Sequence, residues 1–376
     1  MQTLSGLWPL TFIISLYAFV FFIQFRISER GITSGLTLRS SYISRSLTLG
    51  VTAFSDSRIA ILIPITLKGR DGTIPFTFDP QSNDIEPYKA LPRARTVLIT
   101  FPLKGVGQSK RLLELYWKAH IDTELKRNWI QLGSTGIYKN DGWSAWDSPY
   151  DKTNDRAVAE DELLECMRNR ACVLNLVGLY GGQRQLRHWL PRVARTKEDA
   201  AGKGALHMIH GRDVSRAIIA AHLKLVEEYA APLKAPTPDS DSPFPYLTAD
   251  NQAPTTAAAT AAPTGIPLPN TLGGHRFPVT DLHCYDWWDL FMQFGQYARQ
   301  RAIDGETAVE VLKGAKPEEL LYEKWVLELI DEKGIRALPR DKTGEGLGRL
   351  VDGRAFWAVA EARPLEGRAD RRPNED

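Results

Sequence analysis

Along the middle of the chain, short apolar runs that end in Ser, Thr, Gly or Pro alternate with stretches whose apolar residues recur at helical spacing. Ile59 to Leu67 is a β-branched run that stops at Lys68-Gly-Arg-Asp-Gly72, and Thr96 to Phe101 is a second run, stopped by Pro102. Thr73 to Phe78 alternates, with Pro75 suiting an edge strand. Gln108 to His120 carries Leu112, Leu113, Leu115, Tyr116 and Ala119 at helical spacing. Trp129 to Leu132 predicts a strand opening into Gly133-Ser-Thr-Gly-Ile-Tyr138, followed by a helix to about Arg168 that Asn154 or Thr153 can cap. Cys172 to Leu176 predicts a buried strand that opens into Gly178-Leu-Tyr-Gly-Gly182. Ile209-His-Gly-Arg-Asp213 leads into an amphipathic helix to Tyr229, with Val214, Ala217, Ile218, Ala221 and Leu225 on one face. Strands alternating with helices imply a parallel sheet with crossover connections.

The pattern breaks at both ends of this core. Residues 231–270 are dense in Pro, Ala, Thr and Ser and cannot bury enough apolar surface to offset the ordering of their chain, so they form an insertion expected to be disordered. Residues 271–376 then supply a strand from Arg276 to Asp281, an aromatic helix starting at Tyr285, and helices near Glu318 to Asp331 and Arg354 to Ala362. Residues 1–57 differ in kind. Leu7 to Phe25 has no charge and is about long enough to cross a bilayer, with Arg26, Arg30, Arg39 and Arg45 after it. It reads either as a membrane anchor that leaves the main domain cytosolic or as a stretch foreign to a soluble, cytoplasmic protein. The second reading is favoured.

Charge and cysteines narrow the chemistry. With 47 basic and 45 acidic residues the net charge is +2, and no basic stripe is set up to neutralise a nucleic-acid backbone. Cys166, Cys172 and Cys284 are odd in number and have no Cys-x-x-Cys spacing, which argues against a disulfide framework or a zinc site. No His/Asp/Glu cluster has metal-ligand spacing, and no Gly-x-Ser-x-Gly nucleophile elbow is present. The expected partner is a small molecule.

From Ile59 to about Val279, the order of Trp129 to Tyr138, Asp155 to Leu164, Val173 to Gly182 and Ile209 to Asp213 resembles extended and atypical short-chain dehydrogenases/reductases, the NAD-dependent epimerase/dehydratase superfamily. The resemblance implies a Rossmann-like doubly wound parallel sheet over residues 58–230, with a smaller C-terminal substrate lobe. It implies NAD or NADP as cofactor, with Phe101, Pro102, Ser134, Gly178 and Tyr180 bordering it. Lys68 and Arg70, after the second strand, would favour the 2′-phosphate of NADP. Ser134, with Thr135 beside it, takes the place of the family Ser that orients the substrate oxygen.

The chain departs from the family at its two strongest marks. No Gly-x-Gly-x-x-Gly turn follows a first strand, so the first β-α unit is absent or replaced, and a sheet without that strand would expose its neighbours' edges. Lys104-Gly-Val-Gly-Gln-Ser109 and Gly344-Glu-Gly-Leu-Gly348 read as ordinary loops. No Tyr-x-x-x-Lys occurs either. Aligned on Glu160, Arg156 takes the family's Lys place and Lys152 its Tyr place, leaving Tyr138 and Tyr150 as the nearby phenols. The expected activity is oxidoreductase or epimerase-like; the alternative is a dinucleotide-binding regulatory protein without catalysis.

Overall fold

The computed structural model describes residues 49–54, 60–69, 73–121, 127–139, 141–182, 184–230, 268–303, 319–341 and 347–368. The β-branched runs form a seven-stranded sheet of β1 (Leu49–Phe54), β2 (Ala60–Thr66), β3 (Ile74–Pro75), β4 (Thr96–Ile99), β5 (Asn128–Ser134), β7 (Ala171–Leu176) and β10 (Arg276–Val279). They lie side by side in the order β10-β7-β5-β4-β1-β2-β3. From the β3 edge this is the doubly wound order, reversing between β1 and β4, and such sheets bind ligands outside the strand ends at that reversal. Val97 lies opposite Trp129, Gly133 opposite Asn175, and Phe277 opposite Leu174, all in parallel register.

One strand runs the wrong way. β1 pairs antiparallel with both β2 and β4, with Leu49 opposite Ile99 and Thr52 opposite Thr96. Its carboxyl end therefore points to the amino edge of the sheet, and the next element in the chain is β2, not a helix. The first β-α unit is thus replaced, as its missing glycine turn implied. The expectation of exposed neighbouring edges fails, because β1 hydrogen-bonds to the strands on both sides. Thr73 to Phe78 forms only the two-residue edge strand β3, in keeping with Pro75.

Helices cover both faces. α1 (Glu86–Lys89), α2 (Gln108–Ala119) and α3 (Asp155–Met167) pack around Val97, Trp129 and Val173. α6 (Gly211–Ala230) and α9 (Arg354–Val359) pack around Ile130, Cys172, Leu174 and Phe277 on the other side. These strand residues are almost fully buried, each large apolar side chain contributing about 1.5–3 kcal/mol. Asn154 caps α3, its side-chain oxygen accepting the Arg156 amide at 3.0 Å.

The smaller lobe has a three-stranded sheet, β11-β9-β8, of β8 (Gly178–Tyr180), β9 (Ala205–His210) and β11 (Cys284–Asp286). The short helices α4 (Leu190–Val193) and α5 (Lys197–Ala201) and the longer α7 (Trp287–Ile303) and α8 (Glu319–Lys333) surround it. Tyr285 does not open the aromatic helix as expected. It pairs with Leu206 in β11, and the helix begins at Trp287. A two-stranded parallel pair, β6 (Gly142–Ser144) with β12 (Arg349–Val351), was not legible in the pattern. Among the described residues no helix is long and apolar enough to cross a membrane; Leu7 to Phe25 lies outside them.

Buried Asp286 accepts from the Arg340 Nη2 at 2.6 Å, while the same guanidinium lies 4.0 Å from the Trp288 ring centroid. Replacing Arg340 with Leu leaves that carboxylate buried and uncompensated, and should destabilise the protein by about 3–5 kcal/mol. Urea unfolding should show most of this loss recovered in the Asp286→Asn/Arg340→Leu double variant.

Candidate functional site

At the carboxyl edge of the sheet, β5 ends at Ser134 and the chain turns through a short 3-10 helix at Thr135–Ile137. The Ser134 Oγ accepts the Gly136 amide at 3.2 Å, and the side chain is half-buried. Thr135 is turned inward, its hydroxyl donating to the Leu176 carbonyl at 3.3 Å. Thr135 is therefore engaged in the fold, and Ser134 keeps the accessible hydroxyl.

The two phenols near this turn are committed. Tyr138 is 1% exposed and packs with Ile137, Ala157 and Tyr150, and burial pushes its hydroxyl well above the usual range. Tyr150 donates to Asp161 Oδ1 at 2.7 Å; burial and that bond push it up to about 12. Neither is poised to exchange a proton near neutral pH, which needs a pKa near the working pH. The choice of Tyr150 as an acid is thus not supported by its surroundings. Lys152, in the family's Tyr place, is exposed.

Arg156 stands in the first turn of α3, one residue before the Ala157 that packs on Tyr138. Its half-buried guanidinium makes no hydrogen bond or ion pair among the described residues, and desolvation lowers its pKa. An arginine still cannot shuttle protons, so what it offers at this place is a fixed charge.

Beneath the turn lies a polar cluster that the sequence did not announce. Alternation along β5, β7 and β10 puts Gln131, Gly133, Asn175 and Arg276 on the face covered by α3. The Arg276 guanidinium donates to Glu160 Oε2 at 2.9 Å and to Asp161 Oδ1, and sits 4.1 Å from the Tyr150 ring centroid. Asn175 Nδ2 donates to the same Glu160 oxygen at 3.0 Å. Burial is the largest influence on Glu160 and pushes its carboxyl up to about 7, against the lowering by Arg276 and Asn175. A Cβ on Gly133 would stand 2.3 Å from Asn175 Nδ2 and 2.4 Å from Glu160 Oε1, so only glycine leaves room.

The residues assigned to the cofactor fare unevenly. Lys68 is exposed in the turn after β2, and Arg70 lies outside the described residues. Phe101 is turned into the core, 5% exposed and 5.7 Å from Phe78, which corrects its assignment to the crevice wall; Pro102 is half-buried. The loop at 104–107 does lead into a helix N-terminus, but Glu162 Oε1 and Oε2 already accept the Gly107 and Lys110 amides at 2.7 and 3.0 Å. An internal carboxylate holds the position an anion would take. At Gly178 a Cβ would lie 2.6 Å from Met208 Sδ, so that glycine serves the close packing of β8 on β9. Tyr180 meets His210 edge to face, with ring centroids 5.1 Å apart, and donates to the Gly367 carbonyl. The described residues hold no cluster of metal-ligating side chains.

No protein-family model matches the chain, and no curated protein does. Solved structures resemble it in trace. A dTDP-glucose 4,6-dehydratase from Bacillus anthracis, in complex with NAD, is 10% identical over 80% of this chain and 77% of its own, with a TM-score of 0.40. A UDP-glucuronic acid 4-epimerase from Bacillus cereus, in complex with NAD, is 13% identical over 81% and 79%, with a TM-score of 0.38. A functionally unknown conserved protein from Silicibacter pomeroyi is 14% identical over 80% of each chain, with a TM-score of 0.41. Likeness at this level leaves the chemistry to the residues of this chain.

The Glu160 cluster makes stability depend on pH. The unfolded chain releases the proton near the ordinary Glu value of about 4.3, and the folded chain near 7. Between the two values the folded state binds a proton that the unfolded state lacks, so stability falls as pH rises through this window, by up to about 3 kcal/mol. Urea unfolding at pH 5 and pH 8 should show that fall in the wild type and a flatter profile in Glu160→Gln. Gly133→Ala, which forces Glu160 and Asn175 apart, should cost about 1–3 kcal/mol at either pH.

Proposed function

We propose that this chain is an oxidoreductase or epimerase-like protein of the short-chain dehydrogenase/reductase kind, acting on a small molecule at the carboxyl edge of its sheet. The observation that carries the reading is a pair of groups at that edge. Ser134 presents a hydroxyl where β5 ends, and Arg156, attracted by Glu160 but in no hydrogen bond or ion pair among the described residues, presents a half-buried guanidinium where the next helix begins. Ser134 would hold a carbonyl or alcohol oxygen by hydrogen bond, and Arg156 would fix negative charge on the ligand. Burial disfavours the Arg156 charge more than the attraction of Glu160 favours it, so the cation is held at a cost, and such local violations gather at functional sites.

The expected cofactor of this architecture is NAD or NADP, with exposed Lys68 leaning toward NADP. The described residues do not fit a dinucleotide. A pyrophosphate needs backbone amides in a tight turn between a parallel strand and a helix at the carboxyl edge. Here β1 runs antiparallel, and the described Gly-x-Gly turn opens a helix whose first amides belong to Glu162. The second and less favoured reading, a non-catalytic dinucleotide-binding regulatory protein, rests on Tyr138 and Tyr150, neither of which is poised to exchange a proton.

Calorimetric titration with NADPH and NADH should give dissociation constants weaker than roughly micromolar, that is, less than about 8 kcal/mol of binding. Tighter binding would overturn the misfit, and nicotinamide oxidation over a panel of carbonyl substrates would then separate the enzyme from the regulatory reading. For Arg156, Arg156→Leu should leave thermal stability unchanged or raise it by about 0.5–2 kcal/mol. A loss of stability would mark it as a structural arginine and remove the main support for the site.

A further inference from the structure

Two motifs, Gly178-Leu-Tyr-Gly-Gly182 and Ile209-His-Gly-Arg-Asp213, are engaged by the chain's own C-terminal stretch. After α9, Glu361 adopts a positive φ of 51° and pairs with Lys224 of α6 at 2.6 Å. The chain then runs back to the start of that helix, where fully buried Asp213 accepts the Leu365 amide at 2.9 Å and the Glu366 amide at 3.2 Å. Arg216 donates to Asp213 at 2.7 Å and to the Glu366 carboxylate at 3.0 Å, and Arg212 approaches Glu366 at 3.5 Å. Tyr180 donates to the Gly367 carbonyl, and the Arg368 guanidinium lies 5.3 Å from the Tyr285 ring centroid.

Residues 363–368 therefore lie across the end of β8 and the start of α6, at the edge where sheets of this order bind their ligands. Their hold is polar: the Leu365 side chain is 62% exposed, so little apolar burial fixes the segment. Segments with few apolar contacts open locally at a small fraction of the global stability. The contact that closes them is a carboxylate placed between two arginines.

We propose that residues 363–368 are a strap, latched by Glu366, that closes the Tyr180 side of the carboxyl-edge crevice and lifts as a unit to admit a ligand. An anionic group of that ligand, phosphate or carboxylate, takes the place of Glu366 on Arg212 and Arg216. The strap is thus an autoinhibitory contact, and it stands whatever reaction the site carries out.

Amide hydrogen exchange on the full-length chain tests this. Glu366→Gln should speed exchange of the Leu365 and Glu366 amides by about ten-fold, as loss of one hydrogen bond to a charged group implies, with the amides of β5 and β7 unchanged. Inorganic phosphate should speed the same two amides in the wild type relative to chloride at equal ionic strength. Unchanged strap amides in Glu366→Gln would overturn the latch, as would acceleration of β5 and β7 in step with the strap. No effect of phosphate beyond chloride would overturn the exchange with an anion. The experiment reads the strap alone, so its failure is distinct from any result of the nucleotide titrations.

Discussion

The buried Arg276 guanidinium organises the half of the molecule where the candidate site lies. It enters on the last strand of the sheet, crosses beneath α3, and binds the two acids on consecutive positions of that helix. A charge this deep is tolerated only when it is paired and its remaining hydrogen-bonding capacity is used. Glu160 and Asp161 satisfy that condition, Asn175 shares in it, and the Tyr150 ring covers the guanidinium face. α3 is thereby fixed in rotation about its axis, which sets where Arg156, one turn before Glu160, stands at the start of the helix. Packing alone would hold the helix against the sheet but would leave its angular position weakly specified.

The opposite half is governed by the polarity of a single strand. A parallel first strand brings its end, the following turn and a helix dipole to the ligand edge together. Reversing the strand keeps the sheet hydrogen-bonded on both sides while it moves that end to the far edge. The architecture survives and the anion cradle does not, because sheet continuity depends on backbone pairing and phosphate binding depends on which edge the turn faces. Glu162, seated on the α2 N-terminus, fills the one described alternative with a group of the chain's own.

Much of this was legible in the residue pattern. The β-branched runs with their punctuation located β2, β4, β5, β7 and β10, and helical spacing located α2, α3 and α6 to within a residue or two. Ser134 ends β5 and Arg156 opens α3, so the local pattern located both residues within their elements. What escaped was decided by distant pairing. β1 draws its partners from β4, β6 finds β12 across most of the chain, and Tyr285 joins a strand because Leu206 lies beside it. Phe101 was misplaced because a residue at a strand end faces core or cleft according to the pleat, which Phe78 settles from another segment. Arg276 was invisible for a related reason: its partners lie on a helix far back in the sequence, and no local periodicity encodes them.

That separation bears on the order in which the protein assembles. β10 lies beside β7, yet the segment between them includes the whole of α6 and the low-complexity insertion. Each doubling of such a connection adds only about 0.6 kcal/mol to the entropy of closure, so the native state tolerates the insertion readily. Rates are less forgiving, since pairing between remote segments slows folding. Until β10 docks, Glu160 and Asp161 face the sheet as neighbouring acids with no cation between them, and α3 has nothing to set its rotation. β10 supplies the cation that Glu160 and Asp161 share, so the docking of a strand remote in sequence completes the set of charges beneath α3.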